Sequence, residues 1–120
     1  MSLASQILTG VVAALHVYFL VLEMFLWTTP YGLKTFGRTL AEQESSKTLA
    51  ANQGLYNGFL AAGLVWSLVA SDVIAVPVRA FFLGCVVVAG IYGGLSVTRK
   101  ILFVQAVPAA LALALTLAAR

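Results

Sequence analysis

The chain has 120 residues, of which 62% are hydrophobic and 9% are charged, and its formal net charge is +3. This balance excludes an ordinary water-soluble domain, in which about a quarter of the residues are charged. The length allows one domain, residues 1-120. The basic residues stand at predicted helix ends and in one loop, so we expect no nucleic-acid partner. With a single cysteine and a single histidine, we expect no disulfide, no metal and no cofactor.

Four apolar stretches, at about 3-27, 49-71, 78-97 and 101-119, are each long enough to cross a bilayer as a helix. The first stretch is longer than the apolar core of a signal peptide, which favours a retained helix. The turns before the third and fourth stretches are short, which favours antiparallel neighbours. The sequence therefore predicts an all-α fold, a four-helix transmembrane bundle with antiparallel up-down topology, whose surroundings are a lipid bilayer.

The longest polar stretch, at about 28-48, is the predicted cytoplasmic loop. Within it, Leu33, Phe36 and Leu40 recur at helical spacing, which indicates a short amphipathic helix at the lipid headgroups. Gly37 interrupts this pattern and disfavours a helix there.

The distribution of basic residues predicts the orientation of the chain. Arg79 and Arg120 fall on one side of the predicted bundle. Five basic residues fall on the side of the long loop: Lys34, Arg38, Lys47, Arg99 and Lys100. By the positive-inside rule, the loop faces the cytoplasm. We therefore expect a multi-pass protein of the cell (inner) membrane with both termini outside the cytoplasm.

Each predicted helix carries polar residues along one stripe. Glu23 and His16 stand seven residues apart on the first helix and share a face. At a rise of about 1.5 Å per residue, Glu23 and its counterparts on the other helices lie roughly 6 to 14 Å inside the cytoplasmic boundary, and His16 lies deeper. The candidate site comprises Glu23, His16, Asn52, Gln53, Tyr56, Asn57, Tyr92 and Gln105.

Glu23 has two interpretations. An ionisable group within a spanning helix indicates a functional site, where a carboxyl can exchange a proton for a cation or bind a basic ligand. The structural alternative is a protonated glutamate that ties the first two helices together. His16 is likewise either a neutral imidazole bonded to a neighbouring helix or a ligand or proton relay.

Small residues four apart stand at Gly54, Gly58, Gly90 and Gly94. Such spacing lets two helix backbones approach closely in lipid. Packing within one bundle is the first interpretation, and a homo-oligomer through the Gly54/Gly58 or Gly90/Gly94 faces is the second. Pro108 is expected to kink the fourth helix and to free a carbonyl one turn earlier.

Four motifs carry a family resemblance: EMFLW at 23-27, NQGLYNGFLA at 52-61, GCVVVAGIYG at 84-93 and RKILFVQ at 99-105. The chain resembles a family of small bacterial four-helix integral membrane proteins catalogued as a domain of unknown function. The motifs extend over most of the chain and contain Glu23 and six of its companions in the candidate site. The resemblance implies the membrane fold and this site, and it implies no activity.

These patterns favour transport or binding of a small molecule or ion at a polar intramembrane pocket around Glu23. The ligand could also be a lipid or apolar molecule whose polar end meets Glu23, Asn57 and Tyr92. The alternatives are an accessory or assembly subunit of a larger membrane complex and, less favoured, a membrane-embedded enzyme acting on an apolar substrate. The sequence contains no nucleophile elbow, metal motif or phosphate-binding loop.

Overall fold

A computed structural model of the chain describes residues 1–118; Ala119 and Arg120, the latter counted above among the basic residues, lie outside the described residues. The described part is helical and contains no strand, which confirms the predicted all-α class. The elements in chain order are α1 Leu3–Met24, α2 Pro30–Phe36, α3 Leu40–Val69, α4 Asp72–Ser96, α5 Arg99–Ile101, a π-helical segment Leu102–Ala106 and α6 Val107–Ala118.

Three helical stretches are long and apolar enough to cross a membrane: Leu3–Met24, Asp72–Ser96 and Arg99–Ala118. The remaining predicted span, 49-71, falls in α3 except for its last two residues, because α3 ends at Val69. Amide side chains at Asn52, Gln53 and Asn57 lower the hydropathy of α3 and set it apart from the other three. The chain is therefore compatible with a membrane-spanning protein, and a bundle of four spans stays a prediction.

The second long helix begins at Leu40, well before the predicted residue 49. Thr39 and Glu42 form a reciprocal capping box, in which the Thr39 backbone N–H donates to Glu42 Oε1 (2.9 Å) and the Glu42 backbone N–H donates to Thr39 Oγ1 (3.2 Å). These bonds satisfy backbone N–H groups that a helix N-terminus otherwise leaves unpaired. The polar run after Leu40, predicted as loop, consequently forms the first turns of α3.

The first helix, α1, ends at Met24, earlier than the predicted residue 27. The predicted loop that follows contains the short helix α2. Thr29 caps α2, because its Oγ1 accepts from the Gly32 backbone N–H (3.3 Å). Gly37 ends α2 in the left-handed conformation (φ 63°), which is accessible to glycine at little cost. The amphipathic helix indicated by the sequence thus stops at Phe36, and Gly37 lies beyond its end.

Two prolines lie inside helical stretches. α4 begins at Asp72 and contains Pro77 near its start, whereas the sequence placed Pro77 in a turn and the helix start at 78. Pro108 follows the π-helical segment, in which the Val107 backbone N–H donates to the carbonyl oxygen of Leu102, five residues back. Because Pro108 has no N–H for the carbonyl of Val104, the wider turn stands where the sequence predicted a disturbance.

The chain divides into two compact units, which are described separately. The first comprises Met1–Ala14 and the chain from Leu60 onward, and the second comprises Leu15–Phe59. The core of the first unit draws on all four long helical stretches: Val12, Ala13, Leu64, Leu83, Val86, Ala109 and Ala112. In the second unit, Leu22 of α1 and Ala50 of α3 are buried.

The glycine faces pack within the chain. In the second unit a Cβ on Gly54 would lie 2.7 Å from Met24 Cγ, and one on Gly58 would lie 2.8 Å from Leu20 Cδ1. In the first unit a Cβ on Gly90 would lie 2.7 Å from the backbone nitrogen of Ala106. These close approaches favour packing within one chain, the first interpretation of the spacing. A homo-oligomer through the same faces stays a prediction.

Candidate functional site

Glu23 and Asn57 form a side-chain pair inside the second unit. Asn57 Nδ2 donates to Glu23 Oε1 at 2.5 Å, and only 9% of Asn57 is exposed. Gly54, one turn earlier on α3, makes the pairing geometry accessible, since a Cβ there would lie 3.1 Å from Glu23 Cβ. The structure therefore brings together the glutamate of the first predicted helix and one of the amides of the second.

Glu23 lies closer to a helix end than the sequence predicted. The 6 to 14 Å depth assumed a helix that continues to residue 27, whereas α1 ends at Met24. The backbone N–H groups of Phe25 and Leu26 both donate to the carbonyl oxygen of Val21, which closes the helix. The carboxyl group therefore belongs to the last turn of α1, where an apolar span would meet its boundary.

The remaining amides of α3 do not join the Glu23 pair. Asn52 and Gln53 are exposed, and Tyr56 is 58% exposed with its ring packed edge-on against Phe59. Asn57 is the one member of this predicted group that is buried. The sequence placed all four within one arc of the helix, and burial separates them.

His16 is fully buried in the second unit, where its ring packs edge-on against Phe19 with 5.2 Å between the ring centroids. Both interpretations of His16, the bonded neutral imidazole and the ligand or proton relay, stay predictions. Tyr92 of α4 is 74% exposed, and Gln105 is partly buried in the π-helical segment. Both belong to the first unit, whereas Glu23 and Asn57 belong to the second.

The turn after α1 is held onto the start of α3. Trp27 Nε1 donates to Ser46 Oγ (3.1 Å), and Gln43 Nε2 donates to the carbonyl oxygen of Trp27 (3.0 Å). Gln43 is fully buried, and its Oε1 has no hydrogen-bond partner in the part of the chain that the structure describes. Sequence reasoning missed these contacts because residues 43–46 were assigned to a loop. They fix the end of α1 that carries Glu23.

Arg79 is the functional candidate that sequence reasoning missed, because its charge was used only to predict orientation. It is 1% exposed within the first unit. Two of its guanidinium bonds go to Ser67: Nε donates to Oγ (3.2 Å) and Nη2 donates to the carbonyl oxygen (3.0 Å). The third nitrogen, Nη1, donates to Ser5 Oγ (3.3 Å) and to Met1 Sδ (2.9 Å). The sequence did contain a signal for this site, because an arginine inside an apolar stretch such as 78-97 must find buried acceptors.

One acceptor of Arg79, Ser5, belongs to a chain of hydrogen bonds with a fixed direction. Thr116 Oγ1 donates to the carbonyl oxygen of Ala112 (2.7 Å), so Ser5 must be the donor in the Ser5–Thr116 hydroxyl pair (2.9 Å). Ser5 Oγ is thereby free to accept from Arg79. Ser5 lies in the first turn of α1, Ser67 in the last turn of α3 and Thr116 in the last turn of α6.

Within residues 1–118 no group of three or more His, Cys, Asp or Glu side chains is placed to hold a metal ion. The candidate site of the second unit is the hydrogen-bonded pair of Glu23 and Asn57. The candidate site of the first unit is the buried cation Arg79.

These features describe a small helical protein, compatible with a membrane, that carries polar pairs between apolar helices. The chain matches the family described as "Protein of unknown function (DUF1304)" over residues 10–117 and belongs to that family, which confirms the resemblance seen in its motifs. It is 33% identical over 115 residues to "Uncharacterized protein YpaA" of Lactococcus lactis subsp. lactis (strain IL1403), a match that covers 94% of this chain and 96% of that protein. No solved structure matches the chain significantly.

Proposed function

We propose that this chain is an integral protein of the cell membrane with four antiparallel spanning helices, and that it binds a small cation, or the cationic end of a small molecule, at Glu23. Such binding is also the step that a transporter of this size requires. The proposal covers the bundle, its location and the site, which are taken in turn below.

The case for a fourth span comes from the packing of α3. In the second unit Gly54 meets Met24 and Gly58 meets Leu20, and this order of contacts supports antiparallel packing of α3 on α1. At 30 residues, α3 is long enough to cross a bilayer even if its first turns lie outside it. Its exposed amides, Asn52 and Gln53, precede Gly54 and so fall at or beyond the end of α1. There they can meet water or headgroups.

The observation that carries the binding proposal is the coordination of the Glu23 carboxyl. Its Oε1 accepts from Asn57, a neutral amide. Asn57 engages one of the two carboxyl oxygens and brings no positive charge to the carboxyl group. A carboxylate can accept about four hydrogen bonds. A metal cation, or an ammonium group with its three donors, would supply the missing partners.

The structural alternative makes a different prediction for Glu23→Gln. A glutamine keeps the Oε1 acceptor for Asn57 and removes the negative charge. If Glu23 only ties α1 to α3, then Glu23→Gln leaves both folding and any retained molecule unchanged. Native mass spectra of the gently extracted wild type, of Glu23→Gln and of the exposed control Glu44→Gln test this. Loss of a bound mass in Glu23→Gln alone supports the binding site.

Orientation is tested separately. By the basic-residue count, the segment between α1 and α3 faces the cytoplasm and both termini face out. Ser45 is exposed at the start of α3 and suits a labelling site. A Ser45→Cys variant on a Cys85→Ala background should resist a membrane-impermeant thiol reagent in intact cells and react after lysis. Labelling in intact cells would reverse the proposed orientation.

An accessory subunit is the second candidate function, and the exposed polar face of α3 favours it. Asn52, Gln53 and Tyr56 expose hydrogen-bonding groups on this face. A partner subunit that pairs with this face should be lost on purification of an Asn52→Leu, Gln53→Leu double variant and retained by Glu23→Gln. The opposite pattern supports the Glu23 site.

A further inference from the structure

Arg79 places a permanent positive charge inside the first unit. Arginine does not lose its proton in proteins, so the buried side chain remains a cation. Every acceptor that it contacts is neutral: two hydroxyls, a carbonyl oxygen and a thioether. No carboxylate lies within salt-bridge distance of Arg79 in the part of the chain that the structure describes. Asp72, in the first turn of α4, acts on this charge electrostatically without contacting it. A buried charge without a counter-ion in contact is costly, even when it is hydrogen-bonded.

The guanidinium lies at the level where several helices end. A long side chain on a helix points back toward the helix N-terminus, so the Arg79 head group reaches toward the start of α4. Its partners Ser5 and Ser67 lie in the first turn of α1 and the last turn of α3. In a chain that spans the bilayer, this is the depth of the lipid headgroups. The negative end of the α3 dipole offsets part of the charge.

The weakest acceptor of Arg79 is also the most exposed one. Met1 is partly exposed, whereas Ser5 and Ser67 are buried. A thioether is a poor hydrogen-bond acceptor, and Met1 Sδ accepts from Nη1. In addition, Nη2 carries two N–H groups and donates one bond, to Ser67, among the described residues. Rotation of the Met1 side chain would present neighbouring N–H groups of Nη1 and Nη2 to a ligand.

We propose that Arg79, whose guanidinium is oriented by the Ser5 hydroxyl oxygen, binds an oxyanion of the phosphate class in the position that the Met1 side chain fills. Two neighbouring guanidinium N–H groups match two oxygens of a phosphate, and charge-assisted bonds of this kind are among the strongest hydrogen bonds in proteins. The oxyanion is either the phosphodiester of a lipid headgroup or free phosphate. This site lies in the first unit and is independent of the ligand proposed for Glu23; it rests only on the proposed membrane placement.

The test measures retention of phosphatidylglycerol by lipid-depleted protein in native mass spectra. A diacylglycerol with the same acyl chains serves as the phosphate-free comparison. We expect Arg79→Gln to bind phosphatidylglycerol about 10-fold or more weakly than the wild type. Arg99→Gln, which removes one exposed positive charge elsewhere, should bind as the wild type does. Diacylglycerol should bind weakly to every variant.

Two further variants keep the test valid if Arg79→Gln does not fold. Arg79→Lys retains the charge and loses the two-pronged geometry. Ser5→Ala leaves the guanidinium and removes the hydroxyl oxygen that orients it. Each should weaken phosphatidylglycerol binding. Competition by millimolar inorganic phosphate would assign the site to a free anion, and resistance to it would assign the site to the headgroup. Equal affinity for phosphatidylglycerol and diacylglycerol, or wild-type affinity in all three Arg79 and Ser5 variants, would overturn the proposal.

Discussion

Asn57 of α3 donates a 2.5 Å hydrogen bond to the carboxyl group of Glu23 in the last turn of α1. This pair joins the end of one apolar helix to the middle of another. It combines an ionisable acceptor with a neutral donor, and so leaves the carboxyl both oriented and able to accept a further partner. The proposed function and the first prediction depend on this arrangement.

Replacement of Asn57 should be more harmful to folding than replacement of Glu23. Asn57→Ala removes the donor and leaves the Glu23 carboxyl without its partner, which should cost about 1–3 kcal/mol of stability. Glu23→Gln keeps an acceptor in the same place and should change stability by less than Asn57→Ala does. Reversible unfolding in mixed micelles measures both. Equal stability of Asn57→Ala and the wild type would mean that the pair does not join the helices.

Two glycines on α4 provide a matched pair of substitutions. A Cβ on Gly90 would meet backbone atoms of Ala106, which cannot rotate away, whereas a Cβ on Gly84 meets nothing within 4 Å. Gly90→Ala should destabilise the protein by about 1–3 kcal/mol through overpacking. Gly84→Ala should be neutral or stabilising, because alanine favours a helix over glycine by about 1 kcal/mol. Equal effects of the two substitutions in thermal unfolding would contradict the packing of α4 on the π-helical segment.

The start of α3 should loosen as pH falls. The pKa of Glu42 is lowered, first by the hydrogen bond from the Thr39 backbone N–H and then by that from the Thr39 hydroxyl. A carboxyl whose pKa is lower in the folded state stabilises that state above its unfolded pKa of about 4.3, and this contribution is lost as pH falls through the folded pKa. Protonation of Glu42 therefore removes its negative charge and weakens the acceptor of the capping box.

Hydrogen exchange of the first α3 amides measures this effect. After correction for the intrinsic pH dependence of exchange, protection should fall in acid in the wild type. It should already be low at neutral pH in Glu42→Ala and Thr39→Ala, each of which removes one side chain of the capping box. Protection that is unchanged in both variants would show that the capping box does not hold the helix start.

Several features of the fold were accessible from the sequence because they depend on local chemistry. The apolar stretches predict the helices, and the missing N–H of Pro108 predicts the disturbance that appears as the π-helical segment. The early start of α3 was also encoded locally, in the spacing of Thr39 and Glu42. The polar residues that follow Leu40 are typical of a loop, although a helix end that projects from a membrane also tolerates them.

Other features depend on distant contacts that no local pattern contains. Arg79 meets Ser5 and Ser67, residues far apart along the chain, and burial decides which polar side chains face inward. The same limit applies to the amides of α3. Helical spacing placed Asn57 and Gln53 on one arc, but only the approach of α1 at Gly54 buries Asn57 and leaves Gln53 exposed.

The most direct test of the central claim is a titration of the purified protein with dodecylammonium and with dodecanol, its neutral counterpart of equal chain length, followed in native mass spectra. The account predicts that wild type and Glu44→Gln bind dodecylammonium in preference to dodecanol, and that Glu23→Gln loses this preference while it remains folded. If Glu23→Gln binds the two probes with the same preference as the wild type, Glu23 is not the cation site, and its role is to join α1 to α3.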